Sequence, residues 1–127
     1  MKETSILVVD DSEADQFLFH IIVEESYPQM KIFKAYDGEQ AQEMLIKDDI
    51  SPDIIFLDIN MPRMNGYEFL EANQSLLNKK AIKVFMLTSS NQESDINKAL
   101  EYACVEKFLE KSFKIEFLKD ALLQLQH

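Results

Sequence analysis

The chain has 127 residues, of which 46% are apolar, and it carries a formal net charge of −10. This length suits one domain with a real hydrophobic core and is too short for two ordinary domains, and the apolar fraction predicts a folded chain. The acidic balance argues against a nucleic-acid or anionic-membrane partner, which would need a basic face, but it is compatible with a divalent cation or a basic protein.

The cysteine content and the N-terminus bear on the cellular compartment. The single cysteine, Cys104, cannot form an internal disulfide, which fits a reducing environment. The first apolar run, residues 6–9, is too short for a signal peptide or a membrane span. We therefore expect a cytoplasmic domain.

The first half of the chain alternates short apolar runs with stretches of helical periodicity. Residues 6–9 predict a strand followed by Asp10 and Asp11, and Ser12 is placed to cap a helix that Pro28 ends. Four apolar residues mark the spacing of this helix: Ala14, Phe17, Leu18 and Ile21. Residues 30–35 alternate and predict an edge strand. Beyond a turn at Asp37-Gly38, the spacing again predicts a helix, carrying Ala41, Met44 and Leu45.

The second half repeats this alternation. Residues 53–58 form an isoleucine-rich apolar run that predicts a strand buried on both faces and ending in Asp58. A Pro/Asn/Gly loop follows, and a third helix, with Asn65 as its cap, carries Phe69, Leu70, Leu76 and Leu77.

Residues 81–87 predict a fourth strand, which ends at Thr88-Ser89-Ser90. A fourth helix carries Ile96, Ala99, Leu100 and Ala103, and a last helix begins at Ser112. Residues 105–109 stay ambiguous, because their Glu and Lys suit a helix and only their position suggests a strand.

A β-α unit repeated five times predicts an α/β fold with a parallel sheet and helices on both faces. In such a sheet, the polar residues that follow the strands all lie along one edge, which is where open α/β sheets place their ligands. This edge is expected to collect Asp10 and Asp11, Asp58 with Asn60 beyond it, Thr88 with Ser89, and Lys111.

The residues of this edge suit phosphoryl transfer onto an aspartate. Three converging carboxylates repel one another, and a hard divalent cation with oxygen ligands is one remedy. The ammonium group of Lys111 is a point charge suited to a phosphoryl oxygen, and the hydroxyl of Thr88 can donate to another. A nucleophile, a metal and oxyanion donors are the parts that such a reaction needs.

These motifs resemble the receiver domain of two-component response regulators, of the single-domain, chemotaxis-regulator-like type. The resemblance runs the length of the chain and rests on Asp10-Asp11, Asp58-x-x-Met61-Pro62-x-Met64-x-Gly66, Thr88-Ser89 and Lys111. It implies a flavodoxin-like, doubly wound sheet of five parallel strands in the order 2-1-3-4-5. It also implies that residues 1–127 are one receiver domain without an output domain.

The resemblance further implies roles for the site residues. Asp58 accepts a phosphoryl group from a phosphohistidine of a sensor histidine kinase or phosphotransfer protein in a phosphorelay. Asp11 and Asp58 bind Mg²⁺ together with the backbone carbonyl of Asn60, and Asp10 assists through water. Thr88 and Lys111 contact the phosphoryl oxygens.

The same resemblance implies a route for the output. Ser89 neighbours the phosphate site, and Phe108 stands where the family has its switch aromatic. Signalling would proceed through protein contacts of the fourth helix, the fifth strand and the fifth helix, roughly residues 90–125, with a downstream protein target.

Two residues depart from the family pattern. Ser112 follows Lys111 where the family usually has proline, often in a cis peptide bond, and a cis bond without proline would cost about 3 kcal/mol. Cys104 stands where many relatives have glycine after the fourth helix, so the start of the fifth strand is expected to be atypical.

Three other functions remain open at this point. A Mg²⁺-dependent phosphohydrolase with an aspartyl-phosphate intermediate would want a second acid two residues after Asp58, where this chain has Asn60. A flavodoxin-like cofactor binder would need a Gly/Ser/Thr-rich phosphate loop after the first strand, where Asp10, Asp11 and Glu13 would repel a phosphate in the absence of a metal. A receiver that binds its partners without being phosphorylated is disfavoured by the intact acids.

Overall fold

A computed structural model describes residues 5–48, 50–59, 61, 63–88, 101–102 and 104–110. Strands and helices alternate within them as the sequence predicts. The elements are β1 (Ser5–Val9), α1 (Glu13–Ser26), β2 (Lys31–Ala35), α2 (Gly38–Ile46), β3 (Ile54–Asp58), α3 (Gly66–Lys79), β4 (Lys83–Thr88) and β5 (Val105–Glu110). The predicted fourth and fifth helices lie outside the described residues.

The five strands form one parallel sheet in the order β2-β1-β3-β4-β5. This confirms the expected order, and β2 lies at an edge as its alternating pattern predicted. The ambiguous residues 105–109 belong to a strand. The pairing of β5 with β4 shifts its register between Val84 and Phe85, so the start of β5 is irregular, as expected. Cys104, just before it, is buried.

Helices cover both faces of the sheet, as predicted. On one face, α1 packs Phe19, Ile22 and Val23 against a cluster that includes the stacked rings of Phe56 and Phe85, whose centroids are 5.7 Å apart. On the other face, α2 and α3 contribute the buried Ala41, Leu45, Phe69, Leu70 and Leu77. Strand β3 lies in the middle and is buried along its whole length, which explains its unbroken apolar run.

The periodicity that predicted α1 does not mark the face that α1 buries. Phe17 is 64% exposed and Leu18 is 38% exposed, whereas Gln16 and Phe19 are buried. The helix carries apolar residues on two stripes, and the stripe with Phe19, Ile22 and Val23 is the one that packs against β1 and β3. Spacing alone therefore predicted the helix, as the structure confirms, but it does not identify which residues the helix buries.

The fourth strand begins two residues later than predicted, because residues 81 and 82 terminate α3. Ala81 has a positive φ of 57°. Its N–H donates to the carbonyl of Asn78 at 3.1 Å, and the N–H of Ile82 donates to that of Leu77 at 2.9 Å. This pair of bonds is a Schellman motif. In the part of the chain that the structure describes, no helix has the length and apolar character needed to cross a bilayer.

Candidate functional site

The predicted acidic edge exists at the carboxyl ends of the central strands. Asp58 is the last residue of β3, and Asp10 and Asp11 directly follow β1, its neighbour in the sheet. Thr88 is the last residue of β4, and Leu87 is aligned with Asp58 across the two strands. The sheet therefore brings together residues that are about 30 to 80 positions apart in the sequence.

The carboxylates of Asp10, Asp11 and Asp58 form a compact cluster. One oxygen from each lies within 4.8 Å of the others. Asp10 is 0% and Asp58 2% exposed, whereas Asp11 is exposed to solvent. Two buried carboxylates with a third beside them repel one another when they are ionised, and a cation among them offsets that repulsion.

The donor set of this cluster fits magnesium. Mg²⁺ takes oxygen ligands at about 2.1 Å in an octahedron, so that ligand oxygens around one ion lie roughly 3 to 4 Å apart. The three carboxylate oxygens all lie within 4.8 Å of one another, so a small side-chain adjustment would bring them to that arrangement. The exposed position of Asp11 leaves one side of the cluster open to water, which Mg²⁺ tends to retain as ligands.

The β1 end of the site is held by side-chain hydrogen bonds. The Oδ1 of Asp10 accepts from the backbone N–H of Ser12 at 2.9 Å, and the backbone N–H of Asp10 donates to the carbonyl of Ala35 on β2 at 3.0 Å. Gln16 of α1 is buried, and its Nε2 lies at 2.9 to 3.1 Å from the carbonyls of Val8, Asp10 and Ala35. One amide thus ties the ends of β1 and β2 to the first turn of α1.

The β3 end is held mainly through the backbone. The N–H of Ile59 donates to the carbonyl of Leu87 at 3.2 Å, and the N–H of Gly66 donates to the carbonyl of Ile59 at 2.9 Å. Asn65 then caps α3 in a full capping box, because its Oδ1 accepts from the N–H of Glu68 at 2.9 Å and the Glu68 carboxylate accepts from the N–H of Asn65 at 3.1 Å.

The remaining predicted site residues are placed only in part. Phe108 lies in β5, aligned with Met86 of β4. Asn60, Ser89 and Lys111 lie outside the described residues, and so does the Lys111–Ser112 peptide bond. The structure therefore brings together three of the predicted side chains and places two others by their strand positions.

Two residues that contact the site's backbone were not singled out from the sequence. Gln16 carries a detectable signal, because it is the polar member of the buried stripe that continues through Phe19 and Val23. Gly38 carries a weaker signal, since an Asp-Gly pair reads as an ordinary turn. Its N–H donates to the carbonyl of Met64, beyond Asp58, at 3.2 Å.

Known proteins match this chain along almost its whole length. A family model described as the response regulator receiver domain matches residues 6–123. A protein-glutamate methylesterase/protein-glutamine glutaminase of Pyrococcus horikoshii is 34% identical over 96% of this chain, and one of Myxococcus xanthus is 34% identical over 76% of it. The chain spans 33% and 27% of the lengths of these two relatives, respectively.

Solved structures share the fold. A two component response regulator from Cytophaga hutchinsonii superimposes with a TM-score of 0.84 at 27% identity, and the match covers 99% of this chain and 98% of that one. The chemotaxis protein CheY4 of Vibrio cholerae gives a TM-score of 0.81 at 26% identity, with 98% of this chain and 99% of the other covered.

Proposed function

Because the chain belongs to the family of response regulator receiver domains, we propose that it is a phosphorylation switch of a two-component system with Asp58 as the phosphoryl acceptor. The observation that supports this most is the convergence of Asp10, Asp11 and Asp58 within 4.8 Å at the carboxyl edge of the sheet. Of the three, Asp58 terminates the central, fully buried strand and is therefore the most firmly placed.

In the proposed reaction, a carboxylate oxygen of Asp58 attacks the phosphorus of a phosphohistidine or a small acyl phosphate. The new bond joins that oxygen to phosphorus, and the bond from phosphorus to the leaving imidazole or carboxylate breaks. Asp11 and Asp58, with the carbonyl of Asn60, would hold Mg²⁺, which would neutralise charge on the phosphoryl oxygens. Asp10 would assist through water, and Thr88, Ser89 and Lys111 would contact the transferred group.

We further propose that residues 1–127 act as one receiver domain and as a signalling switch, not as an enzyme with its own substrate. The output would pass through residues 90–125, with Phe108 as the aromatic that changes position on phosphorylation. The partners would be a sensor histidine kinase or phosphotransfer protein and a downstream protein, in the cytoplasm. The curated relatives are named for an esterase and glutaminase activity, but this chain matches only about a third of their length.

Phosphorylation by acetyl phosphate tests the proposal. The wild-type protein is expected to gain the mass of one phosphoryl group in the presence of Mg²⁺ and to gain none when excess chelator has removed Mg²⁺ beforehand. Asp58→Asn should gain none under the same conditions. Equal labelling of wild type and Asp58→Asn would place the acceptor elsewhere. Rapid turnover of phosphate monoesters by the wild type would favour a phosphohydrolase instead.

A further inference from the structure

The chain contains only two glycines, and both lie against the segment that follows Asp58. A Cβ on Gly66 would lie 2.6 Å from the carbonyl oxygen of Asp58, and a Cβ on Gly38 would lie 2.6 Å from that of Met64. Neither glycine has a positive φ, so what each position requires is close approach to backbone and not a special conformation. A chain with so few glycines places both where two backbones must touch.

Gly38 belongs to a different element from the segment that it contacts. It is the first residue of α2, and its N–H donates to the carbonyl of Met64 at 3.2 Å. The missing Cβ would also come within 2.9 Å of the Met64 side chain. Alanine at this position would keep the helical backbone and would have to displace Met64.

The residue before Gly38 adds a second link to the same segment. Asp37 caps α2 by accepting from the N–H of Gln40 at 2.7 Å, and its other oxygen pairs with Nη1 of Arg63 at 3.6 Å. The Asp37 side chain is only 13% exposed. Arg63 has a φ of 66°, in the left-handed region that L side chains rarely adopt. The N-terminus of α2 therefore contacts two successive described residues, Arg63 and Met64, at the far end of this segment.

The near end of the segment is fixed by the sheet and by α3. Ile59 is bonded to Leu87 of β4, and Gly66 is bonded to Ile59. The segment that follows Asp58 is thus tied at its base by the bond between Gly66 and Ile59, and α2 contacts it from outside at Arg63 and Met64.

We propose that Gly38 and Asp37 are positioning residues of the acidic site, which fix the backbone that follows Asp58 although neither belongs to the acidic cluster. This inference rests on the proposed function, because it assigns them an effect on Mg²⁺ binding and on phosphorylation. Groups that orient metal ligands from outside typically change metal affinity about 10- to 100-fold when they are lost. We expect Gly38→Ala to raise the Kd for Mg²⁺ by about tenfold. Asp37→Ala removes the cap and the ion pair but leaves Gly38 in place, and because the Arg63 side chain of that pair is largely exposed, it should raise the Kd by only about threefold.

The control is Lys80→Met. The Nζ of Lys80 donates to the carbonyls of Leu45 and Ile50, at 3.1 and 3.0 Å, and so secures the opposite end of α2. This substitution should destabilise the protein without disturbing the loop after Asp58. The Kd for Mg²⁺, measured by calorimetric titration well below the unfolding temperature, should equal that of the wild type.

Three measurements on each variant separate a positioning role from a structural one: the Kd for Mg²⁺, the rate of phosphorylation by acetyl phosphate, and the free energy of unfolding without Mg²⁺. The proposal predicts that Gly38→Ala and Asp37→Ala lose affinity and rate out of proportion to Lys80→Met. Wild-type affinity in both variants, or an equal loss in Lys80→Met, would overturn it. If Gly38→Ala does not fold, the same three measurements on Asp37→Ala, compared with Lys80→Met, test the proposal.

The wild-type protein distinguishes failure of this inference from failure of the proposed function. A wild type that neither binds Mg²⁺ nor takes up a phosphoryl group contradicts the function itself. A wild type that does both, with variants that behave identically, contradicts only the positioning role of Gly38 and Asp37.

Discussion

The two acidic ends of the sheet, after β1 and after β3, are held in place by different means. After β1, the amide of Gln16 and the N–H of Ser12 hold the chain by hydrogen bonds to specific atoms. After β3, two glycines allow backbones to approach to a distance at which a Cβ would not fit. The first arrangement depends on a side chain being present, and the second depends on side chains being absent. Removing a side chain should therefore disturb the end after β1, whereas adding a side chain should disturb the end after β3.

The largest effect on stability is expected from Gln16→Met. Methionine keeps the volume but leaves the buried carbonyls of Val8 and Asp10 without their side-chain donor, and a buried polar group that loses its partner costs about 1 to 3 kcal/mol. We expect a loss of about 2 kcal/mol in the free energy of unfolding, measured in urea. Leu18→Met, on the exposed side of the same helix, should change it by less than about 0.5 kcal/mol. Equal effects would show that Gln16 does not hold the β1 end.

Asp11→Asn should distinguish the contribution of charge at the β1 end to Mg²⁺ binding from its contribution to stability. Removing one of three clustered carboxylates lowers the charge that attracts a cation, so the Kd for Mg²⁺ should rise at least about tenfold. Without Mg²⁺, the same change relieves repulsion and should slightly stabilise the protein. Glu13→Gln, an equal charge change in the first turn of α1, is the control. An unchanged Kd in Asp11→Asn would remove Asp11 from the metal site.

The helix caps next to the two ends offer a smaller, graded test. Asn65 caps α3 in a two-way box with bonds of 2.9 and 3.1 Å, whereas Ser12 caps α1 through one bond of 3.3 Å. Asn65→Ala should therefore cost about 1 kcal/mol of stability and Ser12→Ala about half as much. Thermal unfolding of the two variants, measured side by side, checks this ranking. A larger loss of stability in Ser12→Ala than in Asn65→Ala would show that the β1 end relies on its cap more than the β3 end does.

The smallest change in stability is expected where glycine is introduced at a position that favours it because of a positive φ and not because of close approach to another backbone. Ala81 has a φ of 57° in the Schellman motif of α3. Ala81→Gly removes a strain of about 1 kcal/mol and adds flexibility to the unfolded chain, for a net gain of about 0.5 kcal/mol. Ala72→Gly, inside the same helix, should instead lose about 0.5 to 1 kcal/mol. A loss in both variants would show that Ala81 is not strained.

Much of the fold and of the acidic cluster was predictable from the sequence, and there is a physical reason why the rest was not. The alternation of strands and helices and the convergence of Asp10, Asp11 and Asp58 follow from local patterns and the geometry of parallel sheets. Sequence spacing cannot choose between two apolar stripes of one helix, so the burial of Phe19 and the exposure of Phe17 and Leu18 were not predictable from it.

The contact between Gly38 and Met64 was not predictable from the sequence for another reason. It joins two segments that become neighbours only after folding, and it depends on an atom that glycine lacks. A pattern of side chains along the sequence does not record such a contact. At the β3 end, the sequence pattern predicted that Asp58 belongs to the site, but it did not predict the backbone contacts that hold the following segment in place.

Locating the acceptor at the level of the residue tests the central claim most directly. The wild-type protein is incubated with acetyl phosphate and Mg²⁺ and then reduced with borohydride, which converts an aspartyl phosphate to homoserine in a peptide that mass spectrometry identifies. We predict homoserine at position 58 and nowhere else, and none when Mg²⁺ is chelated. Homoserine at another aspartate, with Asp58 unmodified, would contradict the assignment of Asp58 as the phosphoryl acceptor.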